Sequence, residues 1–130
     1  MKRFTLACLA VVALIVTAAP STAEDSTTLT GEYRWSRRDN NGDLEAVFKP
    51  TGDEQWDVSF YFTWRGDDHV YSGTAEGSLT DGELSGTVLN DNKKRTFTFA
   101  GSVEGGVFEG IHKEITGGKE ERTGTLTLRH

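Results

Sequence analysis

Between Gln55 and Arg65 the chain reads QWDVSFYFTWR, and every second position is apolar and bulky: Trp56, Val58, Phe60, Phe62 and Trp64. Asp57, Ser59, Tyr61 and Thr63 alternate with them. Period two places the two sets on opposite sides of an extended strand. One side then carries four aromatic rings, which need a partner surface to be buried against. No segment shows the 3.6-residue period of an amphipathic helix. Instead the alternation recurs along the chain, broken by turn signals roughly every 8–15 residues, the pattern of an all-β barrel or sandwich.

The turn signals can be placed one by one. Asn41-Gly42, Asp81-Gly82 and Gly105-Gly106 read as tight hairpins. The stretch 50–53, Gly66-Asp67, Asn90-Asp91-Asn92 and Gly117-Gly118 supply looser turns. These seven turns separate eight expected strands, at 28–38, 44–49, 55–65, 69–79, 83–89, 95–103, 107–115 and 122–129. Every connection is short, so consecutive strands pair antiparallel as an up-and-down meander. Eight such strands close most naturally into a small barrel, which removes exposed edges. A β-sandwich is the alternative, but it usually needs longer crossovers.

The parity of the aromatics sets the inside. Tyr33, Trp35, Phe48, Trp56, Phe60, Phe62, Trp64, Tyr71, Phe97, Phe99 and Phe108 face inward; Glu32, Arg34, Asp57, Glu76 and Thr98 are among those facing outward. A membrane barrel has the reverse arrangement, so no membrane insertion is expected. In the seventh strand Phe108 places His112 and Glu114 inward, whereas Ile111 and Ile115 argue for the opposite parity, so a bulge or register change is expected there.

The two ends of the chain bound the compartment. Met1-Lys2-Arg3 is basic, Phe4 to Val16 is almost wholly apolar and Ser21-Thr22-Ala23 offers a small-x-small cleavage site. This reads as a secretory signal peptide over 1–23, followed by a single domain over 24–130 that is secreted or periplasmic. The apolar run falls short of the ~18–20 residues of a spanning helix. Cys8 stands near the start of that run, where a lipid-anchor motif would not place it, and no cysteine follows it. An exported domain without disulfides must be held by its core. Without Lys2 and Arg3 the chain carries 12 basic and 20 acidic side chains, a net charge near −8. Such a surface repels polyphosphates, and nucleic acid is not an expected partner.

An eight-stranded barrel is just wide enough to be filled by side chains or to hold one small ligand. The connections at 50–54, 80–82 and 105–106 lie at one end and read as mostly tight. Those at 39–43, 66–68, 90–94 and 116–121 lie at the other and read as longer and more charged. This asymmetry points to a closed bottom and an open mouth. Near that mouth the parity places Trp35, Trp64 and His69, with Tyr33 and Tyr71 one step deeper and Arg37 at the rim. Tyr and Trp suit a partly wet pocket. These six residues are the candidate ligand-binding set, for a small amphipathic or aromatic molecule. A protein-interaction module with a solid core, such as a secreted inhibitor or an envelope-assembly factor, is the alternative.

The stretch LTGEYRW, from Leu29 to Trp35, resembles the Gly-x-Trp first-strand signature of the calycins (lipocalins, fatty-acid-binding proteins and avidins), with Gly31-x-Tyr33 in its place. The resemblance implies an up-and-down barrel that binds a small ligand, and a late basic residue, Arg122 or Arg129, packed over the signature aromatic. Other motifs carry less. Arg65-Gly66-Asp67 is the integrin-binding tripeptide, but Gly and Asp are ordinary turn residues. In Asp39-Asn40-Asn41-Gly42-Asp43, Leu44 and Pro50 occupy the places where a calcium loop of the helix–loop–helix kind needs Gly and Glu. The three histidines lack metal-site spacing, and neither a nucleophile nor a cofactor motif is evident, so no enzyme and no cofactor are expected.

Overall fold

A computed structural model of the protein describes residues 25–36, 41–90, 92 and 94–130. The expected leader at 1–23, Arg37 and positions 39 and 40 of the calcium-like stretch lie outside the described residues. Eight antiparallel strands form one closed barrel in sequence order: β1 (Thr27–Trp35), β2 (Asn41–Gly52), β3 (Gln55–Trp64), β4 (Asp67–Gly77), β5 (Gly82–Asn90), β6 (Thr96–Glu104), β7 (Val107–Thr116) and β8 (Lys119–Arg129). β8 pairs back on β1, from Thr30 opposite Arg129 to Trp35 opposite Gly124. This is the meander expected from the alternation and the architecture implied by the calycin resemblance. No helix among the described residues is long and apolar enough to cross a membrane.

The inward parity fills the bore. Phe48, Val58, Phe60, Leu84, Phe99, Phe108 and Leu128 are buried, and Glu32, Asp57, Glu76 and Glu109 on the opposite side of their strands are exposed. Two glycines let β8 close against β1. A β-carbon at Gly31 would collide with the Thr127 carbonyl, and one at Gly124 with the Arg34 carbonyl. Gly31 therefore serves close backbone approach.

One end is shut. The β4–β5 connection folds across it, with Leu79 buried beneath the barrel. Ser78 Oγ accepts from the backbone of Thr80 and Asp81, both at 3.1 Å. Gly106 N donates to the Thr80 carbonyl at 3.1 Å, His130 Nε2 donates to the Leu79 carbonyl at 3.2 Å, and Trp56 Nε1 donates to the Gly77 carbonyl at 2.9 Å.

Several turns differ from the sequence reading. Asn41-Gly42 is not a hairpin turn: both residues belong to β2 and pair with Arg34 and Tyr33. The glycine makes room for the Tyr33 ring, because a β-carbon there would lie 2.5 Å from the Tyr33 hydroxyl oxygen. β2 also runs through Pro50 to Gly52, with a register shift between them, and the turn is Asp53-Glu54. A bulge is where a strand tolerates proline. At the open end the connection after β3 is only Arg65-Gly66 and that after β7 only Gly117-Gly118. Positive φ at both residues of each pair marks tight two-residue hairpins. The expectation of longer loops at 66–68 and 116–121 is thereby corrected: strand pairing continues beyond the barrel body and absorbs those residues. The closed end is closed by Leu79 and its hydrogen bonds, not by short loops.

The register change expected at the seventh strand is present, between His112 and Lys113. β7 keeps the parity of Phe108, and His112 is buried. The extra residue lies on the partner strand: Gly124 pairs with His112 and Arg122 with Lys113, leaving Thr123 of β8 between them. Ile111 and Ile115 face outward and are half-buried.

Candidate functional site

The open end of the bore holds an apolar recess of about 80 Å³, lined by Tyr33, Trp35, Leu44, Phe60, Phe62, Tyr71, Val88, Phe97, Thr98, Phe99, His112 and Leu126. Each strand contributes at least one residue of inward parity, and the aromatics meet in tilted or edge-to-face contacts. Ring centroids are 5.3 Å apart for Tyr33–Phe62, 5.5 Å for Phe62–Tyr71, 5.5 Å for Tyr71–Phe97 and 5.8 Å for Phe97–Trp35. Phe60 against Phe99 at 5.3 Å, with Phe108 a further 6.1 Å on, continues the packing toward the closed end.

Arg95 lies over this circle. Its guanidinium is 5.1 Å from the centre of Phe97 and 5.7 Å from that of Trp35. Nε and Nη2 donate to the two carboxylate oxygens of Glu114, at 2.9 and 3.0 Å. A bidentate pair of this kind fixes orientation as well as charge. Arg95 also shares a hydrogen bond with Tyr71, and the bond to Glu114 holds its charged form. The backbone before it is set by Asn90, whose Oδ1 accepts from Lys94 N at 2.9 Å and Arg95 N at 3.2 Å.

His112 forms one wall, 5.4 Å from Trp35. Its Nε2 donates to the Arg34 carbonyl at 3.0 Å, and its Nδ1 lies 2.6 Å from Thr123 Oγ1. Burial pushes its pKa down; the bond to the Arg34 carbonyl opposes that shift and the charge of Arg122 adds to it. Thr123 Oγ1 also donates to the His112 carbonyl at 3.0 Å, so its single hydrogen is shared between that carbonyl and Nδ1. Both nitrogens thus lie within hydrogen-bond reach of a protein oxygen. Burial also raises the pKa of Tyr33 and keeps its hydroxyl protonated.

The predicted residues fall into three groups. Tyr33, Trp35 and Tyr71 line the recess. Trp64 and His69 do not. They stack up the projecting β3–β4 hairpin, His69 on Phe62 at 5.4 Å and Trp64 against His69 at 6.0 Å, with Arg65 over Trp64 at 4.7 Å. Arg37 lies outside the described residues. Sequence reasoning missed Arg95, and it placed Glu114 inward without counting it in the binding set. The signal was present, since Arg95 shares the parity of Phe97 and Glu114 that of Phe108, but their pairing depends on the β6–β7 register, where Glu114 sits opposite Phe97. The late basic residue implied by the calycin resemblance is not in that place: Arg122 and Arg129 are exposed, and the cation over the mouth aromatics is Arg95. Among the described residues no cluster of three His, Cys, Asp or Glu side chains is placed to hold a metal ion.

No protein-family model matches the chain. Neither a curated protein nor a solved structure shows significant similarity to it.

Proposed function

We propose that this is an exported binding protein of calycin-like type, whose guest is a small aromatic or amphipathic molecule held at the barrel mouth. The observation that carries this reading is the recess itself, an apolar hollow ringed by five aromatics beneath a fixed ion pair. Ligand sites of small proteins combine such walls with a few placed polar groups. Tyr33, Trp35 and Tyr71 act as walls, and Arg95 with Glu114 forms the polar edge. The Gly31-x-Tyr33 signature and the leader at 1–23 support the calycin and export parts of the reading.

The size of the recess favours a second reading. Sites for drug-sized ligands span about 300–1,000 Å³, whereas this hollow holds about 80 Å³. A barrel so nearly filled also suits a protein-interaction module that uses its rim or outer wall. Thermal unfolding of the purified protein with and without a panel of one-ring aromatics separates the two. Binding at 100 times Kd adds ~2.7 kcal/mol of stability, a rise of roughly 10 °C or more for a domain of this size. The rise is expected with at least one compound and is expected to vanish in Trp35→Ala. No rise with any compound favours the interaction module.

A further inference from the structure

The outer wall of the barrel is divided by charge. Over β1–β3 it is acidic: Glu32 stands opposite Asp43 and Glu45 opposite Tyr61, all four exposed. Over the middle of β5–β7 the outward side chains include no carboxylate. There Ser85, Thr87, Thr98 and Ala100 floor an open trough of about 620 Å³, with Ile111 at its β7 border and Glu76 and Glu120 at its margins. The register orders these residues, Thr87 opposite Thr98, Ser85 opposite Ala100 and Ala100 opposite Ile111. Ile115 continues the outward row of β7 and, like Ile111, is half-buried. Lys113 stands between the two isoleucines, and its charge is met by Glu120 at 3.5 Å. A low floor of small side chains thus lies directly beside a ridge of branched apolar ones.

We infer that this wall is an interface between two copies of the chain, packed face to face about a two-fold axis, with the Ile111–Ile115 ridge of each copy seated in the Ser85–Ala100 trough of the other. A two-fold contact must be self-complementary, residue i of one copy meeting j of the other and j meeting i, and a ridge beside a trough on one surface meets that condition. Charge selects the same face. A chain with 20 acidic and 14 basic side chains repels its own copies, so two of them approach at least cost where no carboxylate faces outward. A basic partner would be drawn to the β1–β3 wall instead. The face is four strands wide, β4 to β7, and runs from Thr96 to Ser102 along β6, roughly 19 Å by 23 Å at ~4.8 Å between strands and ~3.3 Å per residue. Two such faces cover ~900 Å² between them, at the low end for a specific contact. The dimer is accordingly weak and depends on concentration. It does not involve the mouth, and it stands or falls apart from ligand binding there.

The test is sedimentation velocity on the purified protein from ~1 μM to ~1 mM, a range that brackets weak association, at ionic strengths of ~0.01 M and ~0.15 M. The mass is expected to climb from one chain toward two. The higher salt is expected to lower the dissociation constant severalfold, because it screens the repulsion between two acidic bodies; a contact held by ion pairs would weaken instead. Ile111→Glu on the ridge and Ala100→Glu in the trough are each expected to raise the dissociation constant by about tenfold or more, since each sets an unpaired carboxylate inside the contact. Tyr61→Glu makes the same charge change on the acidic wall and is expected to leave the constant within about twofold. All three side chains face outward, and thermal melts verify each fold; if Ile111→Glu fails to fold, Ala100→Glu carries the test. A protein that stays monomeric at ~1 mM in both salts, a dimer that weakens as salt rises, or one that survives the wall variants but is lost in Tyr61→Glu overturns the inference.

Discussion

At His112 one imidazole ties together three parts of the barrel. Its Nε2 hydrogen holds the end of β1 through the Arg34 carbonyl, its Nδ1 meets the hydroxyl of the extra residue in β8, and its ring packs on Trp35 and Phe97. Among charged groups, Arg122 bears on its titration. Burial lowers the folded pKa below the ordinary value near 6.5, so the unfolded chain takes up the proton first as pH falls. Stability from this residue is therefore full above about pH 6.5 and is lost as pH drops from there through the folded pKa. The slope is at most ~1.4 kcal/mol per pH unit for one proton. Urea midpoints measured between pH 8 and pH 5 are expected to fall in the parent protein, and His112→Gln is expected to flatten that fall. A midpoint independent of pH in the parent would contradict this assignment.

The β1–β8 seam is where a meander becomes a barrel, and it depends on backbone proximity. Gly124 pairs with both His112 and Trp35. A β-carbon there would strike the Arg34 carbonyl and come within 2.7 Å of His112 Nε2. Neither neighbour is a flexible chain end, so Gly124→Ala must part the strands or break the His112 bond. A loss of about 3 kcal/mol or more is expected, in the range of overpacked cores and broken buried hydrogen bonds together. A melting temperature within a degree or two of the parent would show that the seam yields easily. The strands themselves were legible because period-two alternation reports burial directly, strand by strand. Turn positions were less so. Asn41-Gly42 carries strong hairpin chemistry, but Gly42 is needed opposite Tyr33, and that demand arises only from pairing with β1. The same limit applies at the mouth. Tyr33, Trp35 and Tyr71 could be placed by parity alone, whereas the height of Trp64 and His69 above the bore depends on how far β3 and β4 stay paired, from Phe62 opposite His69 to Trp64 opposite Asp67. Arg95 and Glu114 stand 19 residues apart, and only the β6–β7 register joins them.

For the molecule as a whole, the barrel is a packed cylinder with one soft end. Leu79 and its hydrogen-bonded connection seal the bottom, and Phe48, Phe99 and Phe108 fill the middle. The remaining apolar hollow lies among the mouth aromatics, under the only cation over Phe97 and Trp35 among the described residues. Packing density in cores leaves few voids larger than a water molecule, so a hollow of about 80 Å³ among the mouth aromatics is where the described barrel has room to act. Native mass spectrometry of the protein purified without denaturation from the organism that makes it asks whether anything occupies that room. The expected spectrum shows the polypeptide plus the mass of one small aromatic or amphipathic molecule, released when the protein is unfolded. A bare polypeptide mass, unchanged after incubation with a small-molecule extract of the same organism, would contradict ligand binding and leave the mouth aromatics as the end of a solid core.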